Sequence, residues 1–145
     1  MDYQRQKVYD WELTYVRNRS NQMVSSENAQ SIVDYVWQDM GLIGPPIVKI
    51  FYPKTSRKLS KAAHAEGREA IAIPPYGVST YVILHEIAHC MTSTLEGNEE
   101  LHGPDFVGMY VQLLAKYGNI SMFELMYTLD IMKVDYNLAV KPYDL

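Results

Sequence analysis

Residues 79–95 read "STYVILHEIAHCMTSTL", and this stretch organises the rest of the chain. Its apolar residues recur at the helical period, with Ser79 as a predicted N-cap and Gly97 as a predicted C-terminal stop. The sequence therefore predicts a helix at about 79–95 that contains the pattern HExxH. Its predicted apolar side consists of Val82, Leu84, Ile87, Ala88, Met91 and Leu95.

The two histidines of this pattern, His85 and His89, are spaced so that both imidazoles lie on one helix face and can bind one metal ion. Glu86 is rotated by about 100° around the helix, so we expect it beside the ion and off the line of ligands. There its carboxylate can take a proton from a metal-bound water molecule, whose pKa zinc lowers towards neutrality. Imidazole ligands with a glutamate base favour Zn²⁺ among the transition metals.

A catalytic zinc ion needs a third protein ligand and an open fourth position. The residues after His89 lack the glycine and histidine that the metzincin arrangement needs, so that class is excluded. His102 is the best third ligand, because it follows a short loop and directly precedes a new helix, where the chain can double back. Glu99, Glu100 and Asp105 are competing oxygen ligands, although the positive N-terminus of that helix explains Asp105 better.

Ordinary structural roles compete with the metal site. HExxH arises by chance, and a lone histidine on a helix is usually a packed or surface residue. Here three of the chain's four histidines fall between positions 85 and 102, on and just after a helix that apolar spacing predicts independently. This clustering favours metal binding. A purely structural zinc site is disfavoured, because such sites normally have a fourth cysteine or histidine.

The remaining candidate residues have simpler interpretations. Cys90 points away from the His85/His89 line and is predicted to be a small buried residue. His64 is predicted to be a surface or strand histidine. The basic residues between positions 54 and 68 are interpreted as a solvated loop face; they are Lys54, Arg57, Lys58, Lys61 and Arg68.

The flanking sequence predicts a single α+β domain spanning residues 1–145, with a small β-sheet packed against helices. Helices are expected at about 3–19, with Val8, Trp11 and Tyr15 facing inward, and at about 27–40. Strands are expected at 47–52 and 68–75, and a short one at 61–65 that turns into the latter. Two further helices follow, one from Pro104 to Gly118 and one that begins with the capping box Ser121 to Glu124.

Composition bounds the function classes. The chain has 145 residues and a formal net charge of −4, which argues mildly against nucleic-acid binding. Its single cysteine excludes an intramolecular disulfide. The N-terminal residues are polar, and no apolar run approaches the length of a membrane span. A soluble, cytoplasmic protein without a membrane partner is therefore expected.

The sequence "LHEIAHCM" at 84–91, followed by "HGPDF" at 102–106, resembles the SprT-like group of small zincin metallopeptidases and related uncharacterised bacterial and phage metallohydrolases. The resemblance covers about residues 70 to 115. It implies that His85, His89 and His102 are zinc ligands, Glu86 the catalytic glutamate and Phe106 a packing aromatic. It also implies that the strand "AIAIPP" runs along the cleft and can pair with an extended peptide. The chain lacks the cysteine-rich zinc ribbon and basic C-terminal tail of some SprT-like proteases, so a DNA-directed role is not implied.

These observations predict a zinc-dependent hydrolase, specifically a metallopeptidase acting on a peptide or protein substrate. Glu86 would activate the water molecule and then protonate the leaving amine. Tyr76, Tyr81 and Tyr110 are candidates for stabilising the oxyanion. Two alternatives belong to other classes: a phage or mobile-element regulatory protein whose zincin domain binds one specific partner and cleaves it only in that context, and a metal-binding module without turnover.

Overall fold

Helices surround two small sheets in the order that the sequence predicts. The structure, a computed structural model, describes residues 2–52, 63–93 and 101–143. Within these ranges no helix is both long and apolar enough to cross a membrane. The α+β class is confirmed. The helices are α1 (Arg5–Trp11), α2 (Ser26–Asp39), α3 (Thr80–Thr92), α4 (Pro104–Tyr117) and α5 (Met122–Ile131), and the strands are β1 (Met23–Val24), β2 (Ile47–Ile50), β3 (His64–Glu66), β4 (Ala70–Ile73) and β5 (Val78–Ser79).

Strand β4 is the centre of a three-stranded sheet with the order β2-β4-β3. It pairs in parallel with β2, Ile47 opposite Ala70, and antiparallel with β3, Glu66 opposite Ala70. All four residues of β4 are buried, which matches the continuous apolar sequence "AIAI". The predicted turn after Glu66 is present, and Gly67 there has a φ of +59°. Among the described strands, β3 and β2 are therefore the two edges of this sheet.

The first turn of α3 is anchored by the segment before β1. Thr80 N donates to Gln22 O at 2.8 Å, and Tyr81 N donates to Ser20 O at 3.0 Å. These bonds satisfy backbone N–H groups that have no partner within the helix. Ser79 occupies the predicted N-cap position, but its side chain makes no capping hydrogen bond, because the carbonyls of residues 20 and 22 replace it.

The C-terminal end of α3 lies closer to the HExxH pattern than the sequence predicts. The helix ends at Thr92, and Ser93 has an extended backbone with φ −71° and ψ 145°. The predicted stop at Gly97 and the apolar Leu95 lie outside the described residues. His89 thereby lies in the last turn of the helix, where the negative end of the helix dipole favours a cation.

The N-terminal helix departs from regular geometry. Helix α1 continues into a π-helical turn, Glu12–Val16, in which Arg17 N donates to Glu12 O at 2.9 Å. Val8 and Trp11 are buried as predicted, but Val16 takes the fully buried position expected for Tyr15. The wider turn shifts the apolar stripe by one residue, and π turns are frequent at functional sites.

The C-terminal segment after α5 returns along α4, which the sequence analysis did not predict. Asn137 N donates to Pro104 O at 2.9 Å, and the Gln112 side chain donates to the carbonyls of Leu138 and Val140. A Cβ atom at Gly108 would lie 1.8 Å from Asn137 O, so only glycine permits this approach. The segment thus holds α4 and the turn before it, where His102 lies.

Candidate metal centre

Three histidines from two parts of the chain converge at the junction of α3 and α4. His85 and His89 lie on α3, and their Nε2 atoms are 3.2 Å apart. One ring nitrogen from each of these residues and from His102 lies within 4.8 Å of the others. Tetrahedral zinc with imidazole ligands holds its nitrogens about 3.3 Å apart. The three histidines could hold one metal ion, and within the described residues no other such cluster occurs.

The Nε2 atom of His102 is the clearest indication that this cluster can bind a metal ion. The side chain is buried, and this nitrogen has no hydrogen-bond partner. Its other ring nitrogen, Nδ1, lies 2.7 Å from Asp2 Oδ2, so Nδ1 carries the proton and Nε2 presents a lone pair. Burying an unpaired polar atom costs about 1–3 kcal/mol. A bound metal ion would remove this cost, so the donor set fits the predicted ion.

A buried carboxylate, that of Glu12, orients His85 by bonding to its Nδ1 atom. Glu12, only 5% exposed, has its Oε2 atom 2.8 Å from His85 Nδ1 and accepts a second hydrogen bond from the Tyr110 hydroxyl at 2.7 Å. Because Nδ1 is bonded to Glu12, Nε2 is the His85 nitrogen that faces His89 and would bind a metal ion once it loses its proton. Both His85 and His102 therefore show the carboxylate–histidine arrangement that orients and strengthens metal ligands.

The pKa values of the three histidines are shifted in different directions. Burial lowers the pKa of His85, but the Glu12 carboxylate outweighs it and raises the pKa to about 9. Burial lowers the pKa of His89 well below its ordinary value, and the neighbouring histidines add to the effect. Burial also lowers the pKa of His102, against the opposing effect of Asp2. His89 and His102 are therefore ready neutral ligands, whereas His85 must release a proton to bind a metal ion.

Glu86 lies beside the histidine cluster and is not a member of it. Its carboxyl is 8% exposed and lines the same cleft as His85 and His89. Burial raises the pKa of Glu86, while charge on His85 and a hydrogen bond from the Ala65 backbone oppose the rise. A carboxyl with a raised pKa, next to an ion site, is suited to accept and then return a proton.

Phe106, near the start of α4, packs against all three histidine rings. Its ring stacks on His89 with centroids 4.1 Å apart, and it lies 4.9 Å from His85 and 5.1 Å from His102. This apolar wall fixes the imidazole planes and keeps water from the α4 side of the cluster. The expected packing aromatic is therefore in contact with the site.

The cluster opens into a cleft of about 410 Å³. One wall is edge strand β3 with the residue before it, represented by Ala63, His64 and Ala65. The expectation that "AIAIPP" pairs with a peptide is wrong for β4, because both of its edges are already hydrogen-bonded to β2 and β3. Among the described strands, β3 is the edge strand that lines the cleft. His64 is an exposed strand residue that pairs with Glu66 at 3.2 Å.

The tyrosine that lines the cleft is one that the sequence analysis did not consider. Tyr110 is fully buried and donates to Glu12, which makes it part of the support for His85. Tyr76 and Tyr81 do not line the cleft. Tyr9 does, with its ring 6.1 Å from His85 and 5.2 Å from that of His102.

None of the competing ligand candidates among the described residues belongs to the histidine cluster. Asp105 lies in the first turn of α4 and accepts from the Asn137 side chain, outside the cluster. Cys90 is buried with its pKa raised to about 12 by burial, consistent with the predicted small buried residue. Glu99 and Glu100 lie outside the described residues, as do the basic residues at 54, 57, 58 and 61. Arg68 packs over the Trp37 ring at 5.3 Å, so its interpretation as part of a solvated loop face is wrong.

The N-terminal segment contributes the residues that sequence reasoning missed. These residues are spaced at three- and four-residue intervals, so they share one face of α1 and of the turns on either side. A polar face next to the apolar stripe of Val8 and Trp11 was the available signal. The missed residues on this face are Asp2, Arg5, Tyr9 and Glu12. Gln4 supports them, because it donates to His102 O at 3.0 Å and accepts from Asp135 N at 2.6 Å.

Comparison with known proteins finds no family model, curated protein or solved structure that matches this chain. The resemblance to SprT-like zincins therefore rests on the motif residues themselves.

Proposed function

We propose that this protein is a zinc-dependent hydrolase, specifically a metallopeptidase of the HExxH type. The observation that carries the proposal is a buried carboxyl, Glu86, beside three converging histidines at the wall of an open cleft. Among the described residues no fourth histidine, cysteine or carboxylate joins the cluster, which leaves a coordination position for water or substrate. Structural zinc sites are closed, so this geometry favours catalysis.

The chain's own residues would divide the reaction between them. Zinc, when bound to the three histidines, would supply Lewis-acid activation of a water molecule and of the scissile carbonyl. Glu86 would take the proton from the attacking water molecule and deliver it to the leaving amine. Tyr9 would donate a hydrogen bond to the developing oxyanion, because it lines the cleft with its ring 5.2 Å from that of His102.

A peptide is the substrate that best fits the cleft. Strand β3 is an edge strand beside the histidine cluster, and an extended chain can add to such an edge through backbone hydrogen bonds. This mode recognises main-chain amides and does not require a particular side chain. Strand addition at β3 would bring a peptide bond, rather than an isolated ester, next to the metal site.

The test is cleavage of an unfolded protein by the zinc-loaded chain and by its Glu86→Gln variant. Glutamine keeps the size of the side chain and removes the base, so zinc content and folding should survive while the rate falls by about 10²–10⁴-fold. Glu69→Gln, an exposed glutamate in the turn before β4, is the matched control and should cleave like the parent.

Two outcomes would contradict the proposal. Equal rates for Glu86→Gln and the parent would show that the glutamate is not the base. A parent that binds zinc and cleaves no unfolded protein would favour either the metal-binding module or, if one partner protein alone is cut, the regulatory protein.

A further inference from the structure

We propose that Arg5 forms a subsite for a negatively charged group of the substrate, so that the enzyme prefers peptides with a carboxylate close to the scissile bond. The inference rests on the proposed function, because the position of the carboxylate is counted from the metal site. It adds a substrate class to that function.

The position of Arg5 supports the subsite. Arg5 is the first residue of α1 and lines the cleft. Its guanidinium carbon lies 5.6 Å from the centre of the Tyr9 ring, and that ring lies 5.2 Å from the ring of His102. One aromatic ring therefore separates the guanidinium from a metal ligand. A carboxylate bound by Arg5 would belong to the residue next to the bond being cut.

Within the described residues, the carboxylates nearest to Arg5 have other partners. The Asp2 carboxylate is bound to His102, and the Glu12 carboxylate is bound to His85 and Tyr110. In the described parts of the chain no carboxylate forms an ion pair with Arg5. It is also the only arginine or lysine among the described residues that line the cleft.

Contact with Tyr9 prepares the side chain for binding. The guanidinium packs over the tyrosine ring, with 5.6 Å between its carbon and the ring centroid, so part of the ordering cost of a long side chain is already met. The planar guanidinium can bind a carboxylate through two parallel N–H···O bonds. A lysine at this position would keep the charge and lose that fork geometry.

The first experiment measures binding without turnover. Two probes bind zinc through a hydroxamate and differ at the other end: succinic acid monohydroxamate ends in a carboxylate, and its amide analogue is neutral. Titration calorimetry on the zinc-loaded protein should show the carboxylate probe binding about ten-fold tighter than the amide. Arg5→Gln should abolish the difference, and Arg5→Lys should keep only part of it. Arg17→Gln, an exposed arginine outside the cleft, removes the same charge and should leave the difference unchanged.

The second experiment identifies the source of the carboxylate. Matched peptides with a free or amidated C-terminus, and with Glu or Gln next to the cleaved bond, separate an α-carboxylate from an acidic side chain. Faster cleavage of one charged peptide, lost in Arg5→Gln, supports the subsite and names its ligand.

Equal affinity of the two hydroxamates for the parent, or a difference that survives in Arg5→Gln, would overturn the subsite while the metal centre stands. If neither hydroxamate binds the zinc-loaded protein, both the subsite and the open coordination position of the proposed function are contradicted.

Discussion

His85 Nδ1 and Glu12 Oε2 lie 2.8 Å apart, although the two residues are 73 positions apart in the chain. The contact joins the π-helical turn after α1 to the middle of α3 and determines which imidazole nitrogen is free. Because Glu12 occupies Nδ1, the Nε2 atom of His85 faces Nε2 of His89 at 3.2 Å. The geometry of the candidate metal centre thus depends on a residue outside the HExxH pattern.

Replacing Glu12 by alanine should weaken zinc binding by about 10–100-fold, the range found when the partner of a ligating histidine is lost. The substitution removes the acceptor that orients His85 and leaves the buried Nδ1 of His85 without a partner, so stability should also fall. The Tyr110 hydroxyl keeps a second acceptor, the Tyr81 carbonyl at 3.1 Å. Competition with a fluorescent zinc chelator measures the affinity. Tyr110→Phe removes the other partner of Glu12 and leaves the His85 contact in place, so it should weaken zinc binding less than Glu12→Ala. Parent-like zinc affinity in Glu12→Ala would show that Glu12 does not position the ligand.

Zinc uptake at pH 7 should release about one proton per ion. The pKa of His85 is raised to about 9, so His85 is protonated in the metal-free protein, whereas the pKa values of His89 and His102 are lowered and these residues are already neutral. Zinc affinity should therefore rise with pH and level off above the pKa of His85. Calorimetry in buffers of different ionisation enthalpy counts the protons. Zinc binding without proton release would show that His85 is neutral before the ion arrives.

Removing the metal ion should lower the melting temperature. The site joins α3 to the turn before α4, and the unfolded chain holds no such site, so bound zinc stabilises the folded state. A free zinc concentration 100-fold above the Kd would contribute about 2.7 kcal/mol, which corresponds to several degrees for a chain of this size. Differential scanning calorimetry with and without a chelator measures the shift. The chelator should leave His102→Ala unaffected, and an unchanged parent would mean that the site does not link the two elements.

The sequence predicts the helix that contains HExxH well because two periodicities coincide there. Apolar spacing defines α3, and the four-residue spacing of His85 and His89 places both on one face of it. His102 could be predicted from its position before Pro104, which begins α4. The central strand was equally clear, because "AIAI" is an unbroken apolar run and is buried on both faces.

The supporting residues could not be predicted because their contacts are entirely tertiary. Asp2 and Glu12 lie 100 and 73 positions from the histidines that they orient, and no local pattern encodes such pairs. The sequence could not choose among the tyrosines for the same reason. The helical spacing of Tyr110 is typical of either a core or a site residue. Its support of His85 becomes visible only in the tertiary structure, where its hydroxyl donates to Glu12. The π-helical turn also has no signature in spacing, since it depends on the packing of Val16.

The most direct test of the metal centre is the zinc content of the purified parent and of four histidine variants, measured by mass spectrometry after dialysis against trace zinc. The parent should hold one zinc ion per chain, and His85→Ala, His89→Ala and His102→Ala should each lose it. His64→Ala is the matched control, because His64 lines the cleft outside the ligand cluster, and it should keep the full content. Full zinc content in His102→Ala would contradict the three-histidine site, and a parent without zinc under these conditions would contradict the zinc centre itself.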